Sequence, residues 1–146
     1  MHAVQDLHRR LAAAPAPELP PLDRLTLTEL VLPERANHYG TLFGPYGLAL
    51  LGKAAYLVAT RFTRQAIVMA AASRVEFLKP APVGSVLRVE ARIARVGRSS
   101  LTATVVASFD AAPGTQAEQA LLGSFEMVAV DEHGRPTAVL ARPAQA

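Results

Sequence analysis

The chain has 146 residues, about half of them apolar and 18% charged, which suits one compact domain with a real core and argues against disorder. It contains no cysteine, which excludes disulfide frameworks, thiol nucleophiles and thiolate metal sites, and fits a reducing cytoplasm. The formal charge is only +3, with Lys53 and Lys79 the only lysines. The cations are scattered and aromatics sparse, so a nucleic-acid surface is not indicated, whereas a phosphate-bearing small molecule is compatible.

The first predicted element runs from Ala3 to Ala14, with Val4, Leu7, His8 and Leu11 at helical spacing. Arg9-Arg10 followed by Leu11 to Ala14 is too short an apolar run for a secretory signal, which needs ~7–15 residues. Pro15, Pro17, Pro20 and Pro21 then form a connector that cannot continue a helix. Residues 1–22 are thus an appendage, serving either oligomer contact or nothing specific, and residues 23–146 form the folded domain. No stretch reaches the ~18 uninterrupted apolar residues of a membrane span.

Arg24 to Leu32 reads as a strand: Leu25 and Leu27 share one face, Glu29 interrupts it, and Leu30-Val31-Leu32 is apolar on both faces. Its second half is expected to be the more buried. Pro33 to Gly40 is a polar loop closing at Thr41-Leu42-Phe43-Gly44. From Pro45 to Phe62 the chain is apolar almost all round, which predicts a buried helix rather than a surface one. Four further strands follow at Ala66 to Leu78, Gly84 to Val96, Ser100 to Asp110 and Gln119 to Val130. They are separated by turn signals at Pro80 to Gly84, Gly97, Ala112 to Gly114 and Asp131 to Gly134. The expected fold is α+β, with one long central apolar helix wrapped by a mainly antiparallel sheet of about five strands.

Four segments carry a resemblance. Ala36 to Gly44, with Asn37, Gly40, Phe43 and Gly44 ahead of an apolar helix, resembles the signature loop of the hotdog-fold acyl-CoA thioesterases. The bacterial and brain-type acyl-CoA hydrolases have there roughly Asn-x-x-Gly-x-x-Phe/His-Gly-Gly. Phe77-Leu78-Lys79-Pro80 with Gly84 resembles their turn between two strands. Gly97-Arg98-Ser99-Ser100 resembles their Gly-x-Thr/Ser-Ser turn, and Val128 to Pro136 their closing segment. The resemblance covers roughly residues 24–140 and implies the hotdog fold and hydrolysis of an acyl-CoA thioester, with coenzyme A part of the substrate and no separate cofactor. It also implies a homo-oligomer (dimer, tetramer or hexamer) with active sites at the interface between paired domains. Partners other than the acyl-CoA substrate, such as nucleic acid or membrane, are not expected, and the location is expected to be cytoplasmic.

By that resemblance Asn37 positions water or the thioester carbonyl, and the Gly44 N–H at the helix start receives an oxyanion. Each also has an ordinary turn role, which stays open. Arg98, Ser99 and Ser100 match the turn that lies near the coenzyme's pantetheine or phosphates in relatives. The departure is on the helix: the position nine residues after Phe43, where these hydrolases carry Asp or Glu, is Gly52, followed by Lys53. Pro45, which has no N–H, replaces the second motif glycine. A base must then come from elsewhere, with His38 favoured by its ordinary pKa and Glu34 and Glu76 as other candidates. Gly52 would let a helix or ligand approach closely, opening an acyl channel. A binding or sensing protein that has lost its carboxylate is the competing reading. A hotdog dehydratase would require a His–acid pairing that is not found. Ser73 lacks a nucleophile-elbow setting, and His2, His8, His38 and His133 show no metal-ligand spacing.

Overall fold

A computed structural model describes residues 2–14 and 21–140. Pro15, Pro17 and Pro20 of the connector and the last six residues of the 23–146 domain lie outside the described residues. The elements are α1 (His2–Ala13), β1 (Arg24–Leu30), a single 3-10 turn (Pro33–Arg35), α2 (Gly44–Thr63), β2 (Ala66–Phe77), β3 (Val86–Val96), β4 (Ser100–Asp110) and β5 (Ala117–Val130). The strands form one antiparallel sheet in the order β1-β3-β4-β5-β2, so β1 and β2 are its edges. This is the α+β hotdog arrangement that the sequence implies.

Period-two alternation decides which side of the sheet meets the helix. In β4, Leu101, Ala103, Val105, Ala107 and Phe109 are buried while the intervening residues are partly exposed. Leu87, Val89 and Ala91 of β3 and Leu121, Phe125, Met127 and Ala129 of β5 join them. Against this floor lies α2, 20 residues and roughly 30 Å long. It approaches closely because much of its inner face is small: Gly47, Ala54, Ala55 and Ala59 are buried beside Leu50, Leu51, Val58 and Phe62. A Cβ on Gly47 would meet Leu121 Cδ1 at 3.0 Å and Leu42 Cδ2 at 3.1 Å, so a larger residue there would require those leucines to shift. The helix ends at Arg64, whose left-handed backbone (φ 55°) turns its N–H onto the Thr60 carbonyl.

Two expectations require correction. The second half of the first strand is not uniformly buried: only Val31 is, and Leu30 and Leu32 are exposed. Regular pairing with β3 stops at Leu30 and Pro33 opens the 3-10 turn, while Val31 stays inside through bonds of its N–H to the Ser85 carbonyl and its carbonyl to the Gly84 N–H. The helix is apolar almost all round but is not covered all round. Leu48 and Tyr56 remain 38% and 46% exposed, because the sheet curls over only one side of it. Beside that uncovered stripe, β2 buries only Ile67 of its 12 residues. Every described residue of α1 is exposed.

Leu51 has no exposed surface. Leu51→Ala is expected to lower stability by about 2–5 kcal/mol, the cost of lost burial plus the cavity left behind. Chemical denaturation of both proteins at equal concentration checks this.

Candidate active site

The loop before α2 is held by backbone bonds at both ends. Leu42 N–H donates to the Ala81 carbonyl (2.8 Å), Val83 N–H to the Gly40 carbonyl (2.9 Å), and Asn37 N–H to the Thr41 carbonyl (2.8 Å). Gly40 turns the chain at φ 78°, a conformation that costs glycine little. Inside this turn the Asn37 side-chain oxygen accepts from the N–H groups of Tyr39 (3.0 Å) and Thr41 (3.2 Å), and its Nδ2 donates to Thr41 Oγ1 (3.0 Å). Asn37 therefore braces its own loop, and the second Nδ2 hydrogen remains for another acceptor.

The loop delivers Gly44 to the first position of α2. Pro45 follows, and the first intrahelical bond is from Gly47 N–H to the Phe43 carbonyl. Among the described residues, no bond engages the N–H of Gly44 or Tyr46. The start of the helix therefore presents donors and the positive end of its dipole. Asn37 and Gly44 line one cavity of about 310 Å³ together with Thr41, Leu42, Phe77, Lys79 and Leu121. A Cβ on Gly44 would stand 3.6 Å from Phe77 Cε1, an ordinary contact, so steric need alone does not require glycine there. The lining is mainly apolar and its only ionisable side chain is Lys79, which pairs with Glu118 at 3.1 Å.

A second group stands beside the loop. Tyr46 donates its phenol hydrogen to Glu29 Oε1 (2.9 Å), and the Arg35 guanidinium sits 4.4 Å from the centre of the Tyr46 ring. The Glu29 carboxylate, by accepting that hydrogen bond, raises the Tyr46 phenol above its ordinary 10.0, with desolvation adding to the effect. Sequence reasoning missed this group, although its signal was present: Glu29 breaks the apolar face of β1 where Leu25 and Leu27 establish it.

The other expected site residues are not gathered here. His38 lies outside the cavity lining, exposed, with its ring 3.9 Å from that of Tyr39. Glu34 is exposed in the 3-10 turn, and Glu76 is exposed on β2. Arg98, Ser99 and Ser100 occupy the turn between β3 and β4, held by Gly97 N–H to the Ser100 carbonyl (2.7 Å) and Ala129 N–H to the Ser99 carbonyl (3.0 Å). That turn is beside Val128, whereas the cavity is beside Leu121. Seven residues of strand separate them, roughly 24 Å at about 3.4 Å per residue. Within one chain the two halves of the expected site are thus at opposite ends of the sheet. Among the described residues there is no group of three or more His, Asp or Glu able to hold a metal, and no helix is long and apolar enough to cross a membrane.

An uncharacterized acyl-CoA thioester hydrolase of Zymomonas mobilis is 32% identical over 121 residues, covering 83% of this chain and 81% of the relative. The chain belongs to the hotdog-fold acyl-CoA thioesterase superfamily. The thioesterase superfamily pattern itself matches residues 39–108, from within the signature loop into β4. Among solved structures, an acyl-CoA hydrolase of Staphylococcus aureus in complex with butyryl coenzyme A and coenzyme A has a TM-score of 0.77 at 27% identity. The match covers 84% of this chain and 76% of that one. A hexameric acyl-CoA thioesterase has a TM-score of 0.78 at 33% identity, with 84% and 79% covered.

Gly52 stands on α2 where the sequence resemblance implies an acid. A Cβ there would stand 3.2 Å from the Met69 methyl of β2. What approaches the glycine is therefore the end of a side chain of the neighbouring strand.

The raised phenol gives a direct check. A folded-state pKa above the unfolded value means that the Tyr46 bond contributes fully below about 10 and is lost as pH rises through the higher folded value. Titrating phenolate absorbance should reveal in the wild type a tyrosine ionising above 10.0 that is missing from Tyr46→Phe.

Proposed function

We propose that this protein hydrolyses an acyl-coenzyme A thioester to a free acid and coenzyme A. The observation that carries the reading is the cavity in which Asn37 meets the unpartnered Gly44 amide at the head of α2, in a chain of this superfamily. Water adds to the thioester carbonyl carbon, the C–S bond breaks, and the proton of the water passes to the leaving sulfur. Donors aimed at the developing oxyanion stabilise that addition most. Gly44 supplies one at a helix N-terminus, and the free Nδ2 hydrogen of Asn37 supplies another to the carbonyl or the water. His38 is exposed outside the cavity lining of the single chain, and this reading does not depend on it.

The coenzyme's phosphates are assigned to Arg98, Ser99 and Ser100, with Arg98 offering a planar fork of donors. For those residues to serve the same substrate as Gly44, a second copy is needed. The β2 edge is long and bears no charge from Ala66 to Ser73, and an uncovered edge of this kind favours strand pairing. Two copies pairing antiparallel through β2 about a two-fold axis bring the Ala66 end of one beside the Phe77 end of the other. Val68 pairs with Val128, and Val128 with Ser100, so the partner's Arg98 turn is carried toward the cavity. A cytoplasmic homo-oligomer is the assembly this reading requires.

One observation favours a second reading, that of an acyl-CoA binder without turnover: no carboxylate lines the cavity among the described residues, and Gly52 stands where the superfamily's hydrolases carry their acid. Gly52→Asp separates the two. The new Cβ meets only the flexible end of Met69, so the variant should fold. A binder that lost its acid should gain turnover, whereas a working hydrolase should gain nothing, since the added charge costs several kcal/mol of desolvation unless it is paired.

A thiol-release assay across acyl chain lengths tests the main reading. Asn37→Ala should lower kcat roughly a hundredfold, as loss of one oxyanion donor does. Asn37→Asp, which keeps the acceptor for the Tyr39 and Thr41 amides while removing the donor, should lose kcat as well. Retention of kcat in Asn37→Asp would reduce Asn37 to a loop brace. Arg98→Ala should raise KM and leave kcat nearly unchanged, the mark of binding energy expressed equally in ground and transition states.

A further inference from the structure

The start of α2 has to reconcile two demands. Its amides must stay unpaired to serve as donors, yet a helix end without a cap is poorly anchored. The residue at the cap position is Phe43, which makes no side-chain capping bond, and the first turn carries no acidic residue. Pro45 removes one further donor from the same turn. Anchoring must therefore come from groups that leave the Gly44 N–H alone.

The Glu29–Tyr46–Arg35 group meets that description. Tyr46 is two residues beyond Gly44 in the same helical turn. Its phenol is tied to Glu29 on β1, and its ring lies under Arg35 of the 3-10 turn. The same Arg35 accepts, through its carbonyl, the N–H of Phe43 at 2.9 Å, immediately before Gly44. Ala36, next to Arg35, forms a bridge with Leu42, and Asn37 follows directly. One side chain thus links the edge of the sheet, the loop that carries Asn37 and the first turn of the helix. Glu29 itself is only partly exposed on the helix-facing side of β1, where a carboxylate without a partner would be unfavourable.

We propose that Tyr46 is a positioning residue, held between the Glu29 carboxylate and the Arg35 guanidinium so that it fixes the direction of the Gly44 N–H at the cavity. The proposal rests on the hydrolase reading for its kinetic consequence but not for its structural one. A small rotation of the first turn swings a donor off the developing oxyanion, which weakens transition-state stabilisation more than substrate binding.

Tyr46→Phe keeps the ring beneath Arg35 and removes only the bond to Glu29. It is expected to lower kcat about tenfold, short of the hundredfold that a full ångström of misplacement can cost, and to leave KM within about twofold. Glu29→Leu should give the same loss, and the double variant Tyr46→Phe/Glu29→Leu no more than either alone, because the two side chains act as one unit. Glu29→Gln, which retains an acceptor oxygen, should keep most of the wild-type kcat. In parallel, hydrogen–deuterium exchange should speed up at the Phe43 and Gly47 amides in Tyr46→Phe, while amides of β3 and β4 stay as protected as in the wild type. Additive losses in the double variant, a loss expressed in KM, or unchanged kcat and exchange in Tyr46→Phe would each overturn the proposal. If Tyr46→Phe does not fold, the contrast between Glu29→Gln and Glu29→Leu decides it alone. A wild-type protein that releases thiol from no acyl-CoA would instead remove the hydrolase reading, and the exchange measurement would then judge the clamp by itself.

Discussion

Helix α2 leaves the amides of its first turn without intrahelical partners, while its inner face must lie close against β3, β4 and β5. The close approach depends on Gly47, Ala54, Ala55 and Ala59, and Leu51 and Val58 fill the remaining space against a floor of Leu87, Val89, Leu101, Val105 and Met127. Once that packing is set, the height and direction of the helix are set too, and its first turn is brought to where Tyr46 reaches Glu29 of β1. Backbone bonds tie the loop from Pro33 to Phe43 to Leu32, Ala81 and Val83. The candidate site is thus a consequence of how closely a helix can lie on a sheet.

The same curled sheet explains what is left open. Five strands cover one side of α2 and stop at β2, which contributes only Ile67 to the core. Leu48 and Tyr56 of the helix and Met69 and Phe77 of the strand remain exposed, together with a strand edge uncharged from Ala66 to Ser73. In the proposed pairing a second copy covers this surface, and the separation of the Arg98 turn from the Gly44 cavity is what such a pairing would resolve.

Much of this was legible in order along the chain. The strand from Ser100 to Asp110 and the helix after Gly44 declare themselves through periods of two and of unbroken apolarity, and the element order alone leads to a helix against an antiparallel sheet. The loop motif with Asn37 and Gly44 was equally readable, because backbone turns and helix starts depend on local residue types. His38 is exposed and outside the cavity lining of the single chain: its chemistry suits a base, but neighbourhood in sequence says nothing about whether a loop side chain turns inward. Gly52 was read as room for a helix or a ligand to approach; its neighbour within the chain is the methyl of Met69, a residue 17 positions later on a strand with a bulged register.

The sequence by itself determined the α+β class, the long central helix, the membership implied by four ordered motifs, and the absence of the usual helix carboxylate. These are matters of local propensity, periodicity and residue identity. Only the tertiary structure decided that Asn37 and Gly44 share a cavity with Phe77, Lys79 and Leu121, and that Arg98 does not reach it within one chain. It alone decided that Glu29, Arg35 and Tyr46 form one group. The reason is physical: those relations join residues brought together by sheet order and by the depth to which α2 settles, and neither quantity is written in any single segment of the chain.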